Sequence, residues 1–234
     1  MSLIGGLFPA GVIGVTTAEP GDESQLLAAE AALVQRAVEK RRREFAAGRY
    51  CARRALAGLG IAEEPLLIGA DRQPLWPAGV VGSITHTGGF CAAVVAHAAA
   101  LRGIGIDTEI VGRVTAPLWP SICVPEEIAR LKSLPRELRA RTATVIFSAK
   151  EAFYKAQYPA LGERVGFHDV AIELSPAGGW QHSGSFEVHP LRSLSVAKLV
   201  AGPLRGRFVF HAGFVSTGFA LVNTPSGPET PAAP

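Results

Sequence analysis

The sequence predicts an α+β chain in two halves, each helical first and stranded afterwards. Two observations carry this. Residues 22–58 and 125–158 place apolar side chains at helical spacing. Residues 82–96, 103–109 and 168–222 hold short apolar or alternating runs broken by Gly, Pro and Ser, as antiparallel strands are. The halves are expected to meet near 97–103, giving residues 1–102, residues 103–223 and a tail, 224–234, whose four prolines and lack of large apolar residues predict disorder. With 234 residues, 48% hydrophobic and 18% charged, there is ample material for a packed core.

Residues 1–20 read as irregular apart from a strand near 11–16. A helix over 22–44 has Asp22 or Ser24 as cap and Leu26, Leu27, Ala31, Val34 and Val38 as its apolar side, with Lys40-Arg41-Arg42-Arg43 at its end. A second helix over 45–58 stops at Gly58-Leu59-Gly60. Residues 65–82 are rich in turn formers. Gly82–His86, a Gly88-Gly89 turn and Phe90–Ala96 make a hairpin, with Ser83, Thr85 and Thr87 on one side and Ile84 and His86 on the other. The strand at 103–109 carries Gly103 and Gly105, which permit close approach by a neighbour or ligand. A charged helix spans 125–142, open to a break at Pro135, and a further helix spans 142–158, ended by Pro159 and Gly162. Strands follow near 168–174, 184–189, 206–212 and 214–222.

Net charge is +3 but unevenly spread. Residues 36–54 hold Arg36, Lys40, Arg41, Arg42, Arg43, Arg49, Arg53 and Arg54 against Glu39 and Glu44, a local +6 that leaves −3 for the remainder. Such a run is the wet face of a helix, a rail for nucleic acid, or a grip on a small phosphorylated ligand. Basic residues are not widespread and no stacking motif accompanies the run, which disfavours nucleic acid. Cys51, Cys91 and Cys123 form neither a disulfide framework nor a zinc pattern, and fit a reducing cytoplasm. No stretch is long and apolar enough for a membrane span, and Met1–Leu7 lacks the basic region of a signal peptide.

The stretch with most chemistry is Phe147-Ser148-Ala149-Lys150-Glu151-Ala152-Phe153-Tyr154-Lys155-Ala156. Phe147, Glu151, Tyr154, Lys155 and Tyr158 fall on one helical stripe. Glu151 and Lys155 stand four apart in the favourable order, which by itself describes a solvated ion pair. Asp107 and Glu109 alternate on their strand, so both carboxylates point to one side. Together with Glu151 they are the hard oxygen ligands that magnesium takes.

Three ordered motifs, Trp76–His86, Gly105-Ile106-Asp107-Thr108-Glu109 and Phe147–Ala156, with the basic segment from Lys40 to Arg53, resemble the phosphopantetheinyl transferases that activate polyketide, nonribosomal peptide and siderophore synthases. The resemblance runs from about residue 36 to about residue 170. It implies a pseudo-dimer of two similar α+β halves with antiparallel sheets and the active site in the cleft between them. It implies transfer of 4′-phosphopantetheine from coenzyme A to a serine of an apo acyl or peptidyl carrier protein, releasing adenosine 3′,5′-bisphosphate. Asp107, Glu109 and Glu151 would hold Mg²⁺, with Glu151 also the leading base and Lys155 stabilising the leaving phosphate. Arg41 and Arg49 would grip the 3′-phosphate, His86 another phosphate, and Ser83 and Thr85 would line the adenine side. Lys150 would reach a phosphate oxygen or the pantetheine arm. Arg72 is a further phosphate candidate, because Ile68 stands where relatives carry a lysine. The apolar run 117–124 is either core or a docking surface for the carrier. A cytoplasmic monomer with no nucleic acid and no membrane is the expectation. The alternatives are a Mg²⁺-dependent nucleotide pyrophosphate hydrolase and a basic nucleic-acid-binding module.

Overall fold

The computed structural model describes residues 4–177, 182–200 and 202–223, so the tail from 224 onward lies outside the described residues. It contains two antiparallel sheets, each backed by one long helix. The first sheet takes β1 (Ile13–Thr17), β2 (Val80–Thr87) and β3 (Phe90–His97) in the order β1-β3-β2. The second takes β4 (Leu101–Ile110), β5 (Val170–Ala177), β6 (Ser183–Pro190), β7 (Leu204–His211) and β8 (Phe214–Val222) in the order β4-β8-β7-β6-β5. The α+β class and antiparallel pairing expected from the sequence are present.

Helix α1 (Ala28–Val34) is short, and α2 (Glu39–Gly58) runs unbroken for 20 residues against the first sheet. The single helix expected over 22–44 is therefore corrected. Val38 is extended at the α2 N-cap, so Lys40–Arg43 opens a helix instead of closing one. Ala47, Cys51 and Ala52 of α2 pack on Cys91 and Ala93 of β3. The β2–β3 turn is made by Gly88 and Gly89, both at positive φ (45° and 90°), which matches the twist of a tight hairpin.

In the second half α3 (Trp119–Ile122) and α4 (Pro125–Ser133) precede α5 (Arg136–Leu161), with Pro135 at the α5 N-cap. Pro135 thus separates two helices, and Pro159 lies inside α5, whose end is Gly162 in the left-handed region (φ 65°). Half of the 117–124 run is core: Trp119, Ile122, Cys123 and Val124 are buried, whereas Pro117, Leu118, Pro120 and Ser121 are exposed. The core of this half joins Val145, Ala149, Ala152, Phe153 and Ala156 of α5 to Phe186, Phe208 and Phe219 of the sheet.

Gly103 and Gly105 bring α5 onto β4. A Cβ on Gly103 would stand 2.2 Å from the Ala156 carbonyl oxygen, and one on Gly105 1.9 Å from that of Ala152. The close neighbour that these glycines predict is thus the helix that carries Glu151 and Lys155. Its stripe of Phe147, Glu151, Tyr154, Lys155 and Tyr158 is half-buried along the side not used for packing.

Candidate active site

Strand β4 and helix α5 bring the two acidic motifs together. Lys155 Nζ donates to Asp107 Oδ1 at 2.7 Å and to the Ile106 carbonyl at 3.3 Å. The i, i+4 partner expected for Lys155 is Glu151, but the ion pair it makes is with Asp107. Burial alone would lower the Lys155 pKa; Asp107, Glu151 and Glu109 around it raise it above its ordinary value. Burial, and then the Asp107 charge, push Glu109 up to about 7. Burial also raises Glu151, opposed by Lys155 and reinforced by Asp107. All three carboxylates therefore share one field.

The three-carboxylate clasp expected from the sequence is not preformed. Among the described residues no three His, Cys, Asp or Glu side chains stand close enough to hold a metal, because Asp107 is turned onto Lys155. The donor set nevertheless fits a hard cation. Asp107 Oδ2 is buried with no hydrogen-bond partner, every available donor is oxygen, and the repulsion that raises Glu109 is what a divalent charge would relieve.

The basic residues divide into two kinds. On α2, Arg41 Nη1 lies 3.0 Å from His86 Nε2 at the end of β2. Arginine only donates, so Nε2 accepts and the ring proton sits on Nδ1, which faces Glu44 Oε2 at 3.7 Å. Burial lowers the His86 pKa, with Glu44 opposing, so the neutral ring is favoured. Arg41 and His86 thus stand together. Arg49 does not join them at the surface. Its side chain is 4% exposed, its guanidinium lies 4.2 Å from the Phe45 ring centroid, and Glu30 Oε1 is 4.0 Å from its Nε. Burial brings its pKa to about 10, and Nε and Nη2 are enclosed without a hydrogen bond among the described residues. Arg49, expected beside Arg41 at the 3′-phosphate, is turned inward by α2.

Three further residues expected at the ligand have protein hydrogen-bond partners. Lys150 is 2% exposed and spends its three donors on the Ile122 carbonyl (3.0 Å), Glu127 Oε2 (2.8 Å) and the Phe167 carbonyl (2.8 Å), so none is left for a phosphate. Ser83 and Thr85 are buried, and their hydroxyl oxygens accept from the backbone N–H of Ile106 (3.1 Å) and Thr108 (3.0 Å). They join β2 to β4.

Two grooves meet at the α5 stripe. One, of about 480 Å³, opens beside Glu151 and is walled by Phe153, Tyr154, Val165, Phe167 and Val170. The other, of about 250 Å³, is lined by Arg72, Gln73, Ser83, Tyr154, Lys155 and Tyr158. Tyr154 belongs to both. Arg72, at φ 65°, sits in a turn whose Asp71 accepts from Tyr158 Oη (2.7 Å) and Arg164 Nη2 (2.8 Å), bridging the two halves. Sequence reasoning missed Asp71, Arg164 and the Glu44 and Glu127 partners. No spacing signals a pairing 87 residues apart such as Asp71 with Tyr158.

The described chain has no helix long and apolar enough to cross a membrane. Residues 29–96 match the model of the 4′-phosphopantetheinyl transferase N-terminal domain, and residues 103–200 that of the 4′-phosphopantetheinyl transferase superfamily. The chain is 37% identical over 220 residues to the 4′-phosphopantetheinyl transferase Npt of Nocardia iowensis, covering 92% of this chain and 97% of that one. It is 38% identical to PptT of Mycobacterium tuberculosis over 199 residues, 82% of this chain and 84% of that one. Svp of Streptomyces mobaraensis is 35% identical over 238 residues, 96% and 91% of the two chains. Two family models that divide the chain between them, and relatives matched nearly end to end, place this chain in the 4′-phosphopantetheinyl transferase family of enzymes.

Proposed function

We propose that the chain moves 4′-phosphopantetheine from coenzyme A to a serine hydroxyl of an apo acyl or peptidyl carrier protein, with Mg²⁺. The observation that carries this reading is the meeting of Asp107, Glu109, Glu151 and Lys155 where the two grooves converge. The groove with Arg72, Tyr158 and Lys155 suits the nucleotide phosphates, and the apolar groove beside Glu151 suits the pantetheine arm. The pyrophosphate then lies between Lys155 and Glu151.

Asp107, Glu109 and Glu151 are the residues to hold Mg²⁺, which when bound neutralises pyrophosphate charge. The serine oxygen attacks the pantetheine-side phosphorus, and the bond from that phosphorus to the bridging oxygen breaks. The serine proton passes to Glu151, whose burial-raised pKa suits it to accept one. The departing adenosine 3′,5′-bisphosphate carries its new charge toward Lys155, a cation already fixed in place and needing no reorganisation. Arg41, held by His86, offers its remaining donors to a phosphate. Residues 1–102 would then supply the phosphate grip and residues 103–223 the metal and catalytic helix.

Purified protein, coenzyme A, Mg²⁺ and an apo carrier should yield carrier heavier by one phosphopantetheine, and chelation should stop the shift until Mg²⁺ returns. Glu151→Gln should lower the rate by about 100-fold or more, within the range that general-base loss produces, at an unchanged melting temperature. Cleavage of coenzyme A with no change in carrier mass would favour a pyrophosphate hydrolase instead.

A further inference from the structure

The outer edges of the two sheets face each other but do not form a ladder. β2 ends the first sheet and β4 begins the second. Exposed edges of this kind ordinarily pair through backbone N–H and C=O groups. Here two side-chain hydroxyls stand in. Ser83 Oγ accepts from Ile106 N–H and Thr85 Oγ1 from Thr108 N–H, so β2 and β4 run side by side in the same direction, two residues apart on each. An interposed hydroxyl holds strands farther apart than the ~4.8 Å of a direct ladder. All four residues are buried. Thr108 is anchored from its other side as well, its hydroxyl lying 2.8 Å from Ser216 Oγ, which in turn lies 2.8 Å from His211 Nε2.

The place of this clamp in the sequence gives it a consequence. Thr85 is next to His86, which holds Arg41. Ile106 and Thr108 bracket Asp107, which holds Lys155. The two hydroxyl contacts therefore set the offset between the anion-facing pair of one half and the acidic cluster of the other. We propose that Ser83 and Thr85 are positioning residues: their hydroxyls fix the spacing and register of the two halves, and with it the span that the pyrophosphate must fit. This rests on the transferase reading above. It does not require either hydroxyl to touch substrate.

Thr85→Val removes the hydroxyl and leaves the Thr108 N–H without an acceptor. Thr85→Ser keeps it. The transfer rate is to be measured at saturating coenzyme A and carrier, with the amide hydrogen exchange of Thr108 followed in the same proteins. Thr85→Val should exchange Thr108 faster and lose about tenfold or more in kcat, since displacements of about 1 Å are costly to oriented reactions. Thr85→Ser should recover both. Unchanged kcat despite faster exchange would overturn the clamp, as would a Thr85→Ser protein as impaired as Thr85→Val. A raised KM for coenzyme A with Thr108 exchange unaltered would also overturn it, and make Thr85 a substrate contact. If Thr85→Val does not fold, Ser83→Ala with exchange read at Ile106 decides by the same criteria. A wild-type protein that modifies no carrier would sink the transferase reading, whereas an active wild type with fully active clamp variants would sink only this proposal.

Discussion

The Lys150 ammonium satisfies three acceptors from three places: the end of α3, the first turn of α4 and the loop before β5. Glu127 is equally committed, its Oε2 accepting from Val124 N–H (2.8 Å) and Lys150, its Oε1 from Ile172 N–H (2.7 Å). Removing one member of such a pair strands the other charge in the core. Lys150→Met should therefore lower the unfolding free energy by about 3–5 kcal/mol in urea titrations, with Lys150→Met/Glu127→Gln recovering part of the loss. A decrease below about 1 kcal/mol would show that the pair does not hold these elements together. At this scale the sequence was legible in kind but not in partner. Helical periodicity correctly puts Lys150 about 100° from Glu151. It cannot tell that this direction leads to Glu127 instead of a phosphate. The same limit applies to Arg49, whose neighbours Phe45 and Glu30 decide its burial. His86 and Arg41 stand together where a helix face and a strand end meet, a pairing that no local spacing signals.

The contact between β4 and α5 depends on two absent side chains. A Cβ at Gly105 would approach the Ala152 carbonyl oxygen to 1.9 Å and the Ala156 nitrogen to 2.8 Å, both backbone atoms that no rotamer can move. Gly105→Ala should push the helix off the strand and lower stability by at least the ~1–3 kcal/mol of an overpacked core. Gly6→Ala, with nothing within 4 Å of its Cβ position, should stay within about 0.5 kcal/mol of wild type. Thermal melts of the two variants side by side check this, and equal melting temperatures would mean that α5 is free to retreat from β4. Strand existence was legible here because alternation and Gly-Gly turns are local signals. Helix boundaries were less so. The extended Val38 begins α2 where composition alone suggested that a helix was ending. A run of four basic residues suits the C-terminal end of a helix by dipole, yet this one sits in the first turns of α2, where one tertiary and one intrahelical ion pair offset the cost. Arg42 reaches Glu23 at 2.7 Å and Arg43 reaches Glu39 at 2.7 Å.

Across the whole molecule those pairings change what the +6 segment is. Arg42 and Arg43 are paired as above, Arg53 is held by Glu30 (2.5 Å) and Glu63 (2.8 Å), and Arg49 is buried beside Glu30. Glu23, Glu30 and Glu63 lie outside residues 36–54, so the local excess counted along the chain is halved in space. Among the described residues, Arg36, Lys40, Arg41 and Arg54 make no ion pair. A segment with four such cations can neutralise about four phosphates, which bounds the salt dependence of duplex binding through this segment to a slope of about −3.6 in log K against log salt. Filter binding of a mixed-sequence duplex between 50 and 200 mM salt should give a slope no steeper than that, with weak affinity at the upper end. A slope near −7 would mean that all eight basic residues face a polyanion, that the ion pairs seen here open on binding, and that the nucleic-acid reading must be restored. The outcome expected instead is a half-neutralised helix that presents a few cations to a ligand of small size and concentrated charge.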